Sequence, residues 1–328
     1  MIATLERYEP TQPLSVLVAE LNRLYHECEA RVYARGHPEI FEQLPPLWRE
    51  MAVHASINGL PIGEKLRMLD FGCGTGFEAR QCLEAFGAER IERLVCYDPS
   101  PNMLGQCRQA LEGVYKAEYL SSLEQLGPRK GQFNLLITNS VLHHLADPVV
   151  VLREIAPLLS PHAVWISGHE PSRRFLSNPE CREVFCKYRA ADLWRRLISP
   201  RRYVRRALRL VRIAELPEDY AARCAHEQGM FRRRPPARLV SELVDYHVLV
   251  REPKMAERRG LDFVQLETHL QGEWELLWRR TYSFLGPHYV AGLVARWQGE
   301  AQRLAEKYAD DGANCCLIWR RVTANGGT

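Results

Sequence analysis

The sequence has no run of about 18 apolar residues, the length a membrane-crossing helix requires. Its N-terminus, MIATLERYEPTQPL, lacks the basic start and apolar stretch of a secretion signal, so export is not expected. None of its ten cysteines pair in C-x-x-C spacing, and Cys181 and Cys186 stand too isolated to mark a zinc site. The histidines lack ligand spacing with other donors, so no metal is expected. Reduced thiols in a cytoplasmic protein are the expectation. No internal repeat is visible, and a net charge of +4 is too small to mark a dedicated nucleic-acid binder. What remains is a globular chain of 328 residues, 46% hydrophobic, enough for one large domain or two smaller ones.

Within that chain the apolar residues change rhythm. Leu14, Leu17, Val18, Leu21, Leu24 and Tyr25 recur at three-to-four spacing and predict a helix. They begin an N-terminal helical segment, 1–60, that Pro45 and Pro46 interrupt. Over 61–171, short apolar runs alternate with helical patterns. RMLDF leads to FEARQCLEAFG, stopped by Gly87, and RLVCYD leads to SPNMLGQCRQALEG, with Pro101 in its first turn and Gly113 as its stop. A third strand is expected near Val114–Tyr119. FNLLIT then precedes a helix opened by Asp147 and Pro148, and AVWISGHE is a fifth strand. Such alternation predicts βαβ units and a parallel sheet covered on both faces. Residues 172–234 read as an arginine-rich helical cap. Residues 235–328 return to the core through a helix at Pro236–Leu249, a strand at LDFVQLETH, a long helical insertion over 270–310 and a last strand, NCCLIWRRV.

The stretch MLDFGCGTGFEA carries the chemistry. Glycines at a strand-to-helix turn adopt backbone angles that other residues avoid and let a ligand touch the chain. The dinucleotide fingerprint G-x-G-x-x-G places a pyrophosphate on the helix N-terminus. Here the spacing is G-x-G-x-G, with Asp70 ahead of Gly72, Gly74 and Gly76. An acid aimed at the loop repels a pyrophosphate and suits positive charge or hydroxyls. Asp98 ends the next strand, the position that reaches ribose hydroxyls in a doubly wound sheet. The pattern favours a nucleoside without phosphates that carries a cationic or amino-acid part.

In these blocks the sequence resembles the class I methyltransferases, which bind S-adenosylmethionine (SAM). LDFGCGTG is similar to their first motif, YDPSPNML to their second-strand motif, FNLLITNSVLHHLADP to their fourth, and LLSPHAVWISGHEPS to their fifth-strand region. The four blocks follow in the family's order between Lys65 and Ser172. The resemblance implies a Rossmann-like α/β fold: a mostly parallel seven-stranded sheet with helices on both faces, plus an N-terminal helical lid and helical insertions. It implies SAM as cosubstrate, with Asp70 facing the methionine ammonium directly or through water. Gly72, Cys73, Gly74 and Gly76 would pass close under the ligand, Asp98 would hold the ribose diol, and Pro99 or Met103 would line the adenine pocket. Many relatives carry an acid after the third strand that grips the adenine amino group. This chain has YLSSLEQL there, so Ser121 or Ser122 is the substitute.

Methyl transfer is an in-line displacement governed by proximity and orientation, and a base matters only where the nucleophile must lose a proton. The candidates stand at the carboxyl ends of strands four and five: Thr138, Asn139, Ser140, His143 and His144, then His169 and Glu170. Asn139 is expected to anchor SAM's amino-acid end or the nucleophile. His169 with Glu170 is the acid–base candidate, an ion pair at a helix start being the plainer reading. His143 belongs to an LHH block common in related enzymes, which equally suits a structural role. Tyr25, Tyr33, Trp48 and Trp194 are available to face a sulfonium, from a lid or from core positions.

The expected activity is methyl transfer to a small molecule in a metabolite or natural-product pathway. One alternative keeps the fold and lets SAM's own amino group attack its γ-carbon, giving azetidine-2-carboxylate and methylthioadenosine. Another is a SAM-binding module for RNA or a carrier protein. That last reading leans on the acid-free run from Arg195 to Arg212, a basic amphipathic helix with Val204, Ala207, Leu208 and Val211 on one face. Such a helix suits solvent, an anionic partner such as an acidic carrier domain or phosphorylated substrate, or else RNA or a membrane surface.

Overall fold

A computed structural model describes residues 5–61, 63–126, 130–197, 215–247, 260–286 and 294–322. Helices α1 (Leu14–Glu29) and α2 (Pro38–Asn58) precede the sheet. There follow β1 (Leu66–Phe71), α3 (Phe77–Phe86), β2 (Ile91–Tyr97), α4 (Pro101–Leu111), β3 (Glu118–Leu120), β4 (Phe133–Asn139), α5 (Pro148–Ile155) and β5 (Leu159–Pro171). The rest comprises α6 (Pro179–Leu197), α7 (Pro217–Glu227), α8 (Ala237–Val244), α9 (Phe263–Leu270), β6 (Trp274–Tyr282), α10 (Ala295–Lys307) and β7 (Asn314–Arg321). The strands form one seven-stranded sheet in the order β3-β2-β1-β4-β5-β7-β6. Strands β1 to β5 pair parallel, while β7 runs antiparallel to both β5 and β6. Chain order reverses between β1 and β4, which opens a crevice at their carboxyl ends.

Each element follows from its residues. A parallel strand covered on both faces needs an apolar side chain at nearly every position, and β4, FNLLITN, is buried throughout. Ser100 starts α4 by accepting from the Met103 amide at 3.2 Å, with Pro101 in the first turn. Asp147 starts α5 in the same way, accepting from the amides of Val149 and Val150. Leu44, Trp48 and Met51 of α2, with α3 and α4, cover one face of the sheet. Leu152 and Ile155 of α5 and Phe263 and Leu266 of α9 cover the other, around Trp165, Trp274 and Trp319. A third core contains no strand: Leu17, Leu21 and Leu24 of α1 pack on Ala221 and Ala225 of α7 and on Leu239 and Leu243 of α8.

Several expectations need correction. Pro45 and Pro46 do not interrupt the N-terminal helices, because α2 runs through both. A proline inside a helix costs about 3 kcal/mol, and burying each large apolar side chain gains about 1.5–3 kcal/mol. Leu44, Trp48 and Met51, each at most 1% exposed, therefore outweigh the penalty. The segment 1–60 divides between two cores: α2 belongs to that of the sheet, while Leu5 and α1 join the separate helical lobe. The third strand, Glu118–Leu120, is shorter and later than expected. LDFVQLETH is a helix, capped by Asp262 accepting from the Gln265 amide, with Phe263, Leu266 and Leu270 on its buried side. The helical insertion over 270–310 begins instead with strand β6, and helix occupies Ala295–Lys307. As an edge strand β6 pairs with β7 alone, so it tolerates the Glu, Leu and Arg that read as helix, and Glu275 meets Arg320 across the pair. Of the expected Pro236–Leu249 helix, Ala237–Val244 is helical. The arginine run from residue 198 to 212 lies outside the described residues, as does the Trp194 side chain. Among the described residues no helix is long and apolar enough to cross a membrane.

Candidate cofactor and active site

The glycine loop leaves β1 at the switch point and is tied down by its neighbours. The amides of Gly72 and Cys73 donate to the Tyr97 carbonyl at 2.8 and 2.9 Å, and the Gly76 amide to the Cys73 carbonyl at 2.8 Å. Gly74 has φ +48°, and a side chain there would meet nothing within 4 Å. The loop thus offers bare backbone to open space at Gly74, where a ligand can approach.

Three buried acids surround it. Asp98 is 8% exposed; its Oδ2 accepts from the Gly74 amide at 2.9 Å and its Oδ1 from the Ser100 amide at 2.8 Å. Each oxygen keeps a second lone pair for a hydroxyl. Burial pushes Asp98 up to about 6, against the Ser100 amide, the nearby His26 and the Gly74 amide. Glu78, in the first turn of α3, accepts from Asn139 Nδ2 at 2.7 Å. Burial pushes it up to about 8. Asp70 is 1% exposed and neither of its oxygens has a hydrogen-bond partner among the described residues. Burial first, then the charges of Glu78, Cys107 and Asp98, push it well above the carboxylate range, while the Ala79 amide dipole pulls back. The Oδ1 of Asn139 is likewise buried and unpartnered. Isolated buried carboxylates are costly, so this end of the cleft is built for positive charge and hydrogen-bond donors.

The ends of β4 and β5 are organised differently. Glu170 is 0% exposed. Its Oε1 accepts from the amides of Val141 and Leu142, both at 2.9 Å, and its Oε2 from the His143 amide at 3.2 Å and from His143 Nδ1–H at 2.8 Å. Its acceptor positions face the chain around the 3-10 turn Leu142–His144, which leaves none for a substrate. Burial pushes Glu170 up to about 7 against these amides, and burial and neighbouring histidines push His143 down to about 3. His143 is therefore neutral, a donor to Glu170 rather than its ion-pair partner. His144 donates through Nδ1 to the Val244 carbonyl at 2.8 Å.

His169 reaches to β6, its Nδ1 lying 2.5 Å from the Tyr282 hydroxyl. His169 and Ser140 both have positive φ, 55° and 58°, at the ends of adjacent strands. Two strained non-glycine residues side by side are uncommon and cluster at functional sites. Trp48 approaches the same place, its Cζ2 lying 3.4 Å from where a Gly168 side chain would begin.

The remaining sequence candidates spread around the cleft. Pro99 is half-buried, and Met103 lies in the core of α4 at 1% exposure. Ser121 is exposed beyond β3 and donates its amide to Gln125 Oε1 at 3.1 Å, as Ser122 does at 3.2 Å. Tyr25 is half-buried on α1, and Tyr33 stacks on His37. Reading the sequence alone missed Glu78, Tyr282 and a lid contact. In that contact Ser100 Oγ donates to Glu27 Oε2 at 2.7 Å, and Asn102 Nδ2 to the Glu27 carbonyl at 3.0 Å. Glu78 had a signal, an acid in the first turn after the glycines. Tyr282 had none once β6 was read as helix.

The family model described as a methyltransferase domain matches residues 69–165, from β1 into β5. No curated protein matches the sequence. Among solved structures, the plantazolicin methyltransferase BpumL in complex with SAH is similar at 11% identity, covering 94% of this chain and 96% of that one, with a TM-score of 0.48. A putative methyltransferase in complex with the Haloferax volcanii Trm112 methyltransferase activator is similar at 11% identity, covering 90% and 97%, with a TM-score of 0.48. An S-adenosylmethionine-dependent methyltransferase from Mesorhizobium loti is similar at 14% identity, covering 84% and 96%, with a TM-score of 0.41. Residues 69–165 thus match the model of a methyltransferase domain and lie within a seven-stranded sheet.

Proposed function

We propose that the protein transfers the methyl group of SAM to a small-molecule acceptor by in-line displacement. The observation that carries this reading is Asp70, a buried carboxyl with two unpartnered oxygens beside a loop that exposes bare backbone at Gly74. An ammonium group supplies the donors and the charge that Asp70 lacks. Asp98 receives the ribose diol on its free lone pairs, and the linked pair Glu78–Asn139 orients the amino-acid end. SAM supplies an electrophilic methyl carbon on a sulfonium. The chain's own residues then have to align the acceptor, exclude water and move at most one proton. His169 and Tyr282 are the acceptor-side pair, because their hydrogen bond can take a proton from an attacking hydroxyl or amine. Helix α1 and the helices packed on it act as the lid.

The test is incubation of the pure protein with SAM alone and with pools of small-molecule acceptors, read by mass spectrometry. S-adenosylhomocysteine formed only with an acceptor is the expected result. Methylthioadenosine formed without one would overturn methyl transfer and move the reading to attack by SAM's own amine on its γ-carbon. Absence of SAM binding by calorimetry would overturn both.

A further inference from the structure

At the glycine loop three thiols converge. Cys73 stands between Gly72 and Gly74, Cys96 on β2 and Cys107 on α4. All three are 0% exposed, and their sulfur atoms lie within 4.8 Å of one another. The neighbouring thiols hold Cys107 down at about 5, whereas burial pushes Cys73 well up. Buried cysteines commonly serve as small apolar side chains, and Cys82, also buried on this face, does so outside the group. Mutual convergence of three sulfurs goes beyond packing.

We propose that Cys73, Cys96 and Cys107 form a three-thiol receptor for a trivalent metalloid, of which arsenite is the simplest. Thiolates select soft elements. A bond to sulfur of about 2.3 Å, the length for zinc, places three sulfurs roughly 4 Å apart around a centre, within small side-chain movements of this triangle. Zinc at structural sites takes four ligands, and no fourth donor belongs to this group among the described residues. Charge narrows the choice further. Asp70, Glu78 and Asp98 surround the cluster closely enough to act electrostatically on or with Cys107. A zinc or copper(I) trithiolate would bury net negative charge beside these acids, whereas a trivalent metalloid bound to three sulfurs is neutral. In the reaction three As–OH bonds break and three As–S bonds form, and three waters leave with the S–H protons of Cys73 and Cys96 and one proton from solvent in place of the one Cys107 has already lost. Nothing is oxidised or reduced. The bound element would staple the glycine loop to β2 and α4. The loop already lies against α4, since a side chain at Gly76 would come within 2.9 Å of Cys107 Sγ.

The experiment uses the full chain, reduced, with arsenite as the probe. The expected result is one arsenic per chain by intact mass, with X-ray absorption showing three sulfurs per arsenic. Cys96→Ser and Cys107→Ser should weaken arsenite about 100-fold, at the upper end of what loss of even an outer-shell partner costs a metal site. A variant with Ser at Cys28, Cys186 and Cys224, the partly exposed cysteines, should bind as the parent does. Two or fewer sulfurs per arsenic, an adduct lost in that surface variant, or no adduct at all would overturn the proposal. The absorption spectrum of the unmutated protein and the surface variant decide it even if the core variants fail to fold.

Discussion

Two carboxyls sit at strand ends on the same rim of the sheet, both buried, and they are used in opposite ways. Glu170 accepts four hydrogen bonds from its own chain, while Asp70 accepts none among the described residues. Burial raises both. The difference lies in what surrounds them. The turn after β4 curls its amides back onto Glu170, whereas the glycine loop turns its Gly74 amide to Asp98 and leaves both Asp70 oxygens without a donor among the described residues. A satisfied buried acid stabilises a loop, and an unsatisfied one is reserved for a ligand at some cost to the empty protein.

The contrast predicts opposite signs for stability. Glu170→Ala leaves three amides and His143 Nδ1–H without an acceptor and should destabilise the fold by about 4 kcal/mol, at the high end for single substitutions. The midpoint of urea unfolding measures it, and a loss below about 1 kcal/mol would break the contrast. Asp70→Asn removes a buried carboxyl that nothing pairs, so the same midpoint should hold or rise. SAM affinity, by calorimetry, should fall by about 1.5–3 kcal/mol, the worth of a hydrogen bond to a charged group. Normal SAM binding by the Asp70→Asn variant sinks the ammonium assignment. Asp98→Ala should weaken SAM by about 1–3 kcal/mol and also loosen the loop, because it strips the acceptor from Gly74 and Ser100. An unchanged dissociation constant would refute the ribose role.

Acidity offers a gentler way to sharpen the same comparison. Glu78 and Glu170 are raised to about 8 and 7 from an unperturbed 4.5, and Asp70 is raised as well. A raised acid holds more protons in the folded state, so its stabilisation is complete below the unfolded value and is lost as pH rises through the folded one. The depressed histidines His143 and His144 act in the opposite direction, but only below their unperturbed 6.5. From pH 6.5 to 8 the histidines no longer act; Cys107, lowered to about 5, opposes Glu78, Glu170 and Asp70, and with three raised acids against one lowered thiol the melting temperature should fall. Over the same window a cationic ligand gains charge partners, so SAM should bind more tightly. Parallel slopes for stability and affinity would contradict the assignment of these acids to the ligand.

Much of this was legible in the sequence wherever one residue type has one use. The acid–glycine block marks the loop because glycines adopt its φ values of 48° to 80° without the strain a side chain would bring. The apolar runs mark β1, β2, β4 and β5 because a parallel strand is buried on both faces. The edge was not legible: β6 is half-exposed, so its residues carry no alternation to separate it from helix. Pairings across the chain were hidden too. The motif holds His169 and Glu170 side by side, yet neighbouring residues on a strand point to opposite faces. One goes to Tyr282 and the other to the turn after β4. Sequence adjacency cannot report that.

The smallest predicted effect concerns the proposed lid. Glu27 on α1 accepts from the Ser100 hydroxyl and, at 3.2 Å, from the Asn102 amide, so it sits where the N-terminus of α4 presents unpaired amides and positive dipole. Ser100 also caps that helix. Ser100→Ala should therefore cost about 1 kcal/mol for the cap, plus whatever the contact with Glu27 contributes. Glu27→Gln keeps the acceptor but loses the charge and should cost about 0.5 kcal/mol. If the two residues form a latch, the double variant costs less than the sum of the singles by a few tenths of a kcal/mol. Additive losses would mean that α1 is held by its apolar stripe against α7 and α8 alone. The lid would then open without disturbing the end of β2, and Asp98 would not register whether it is closed.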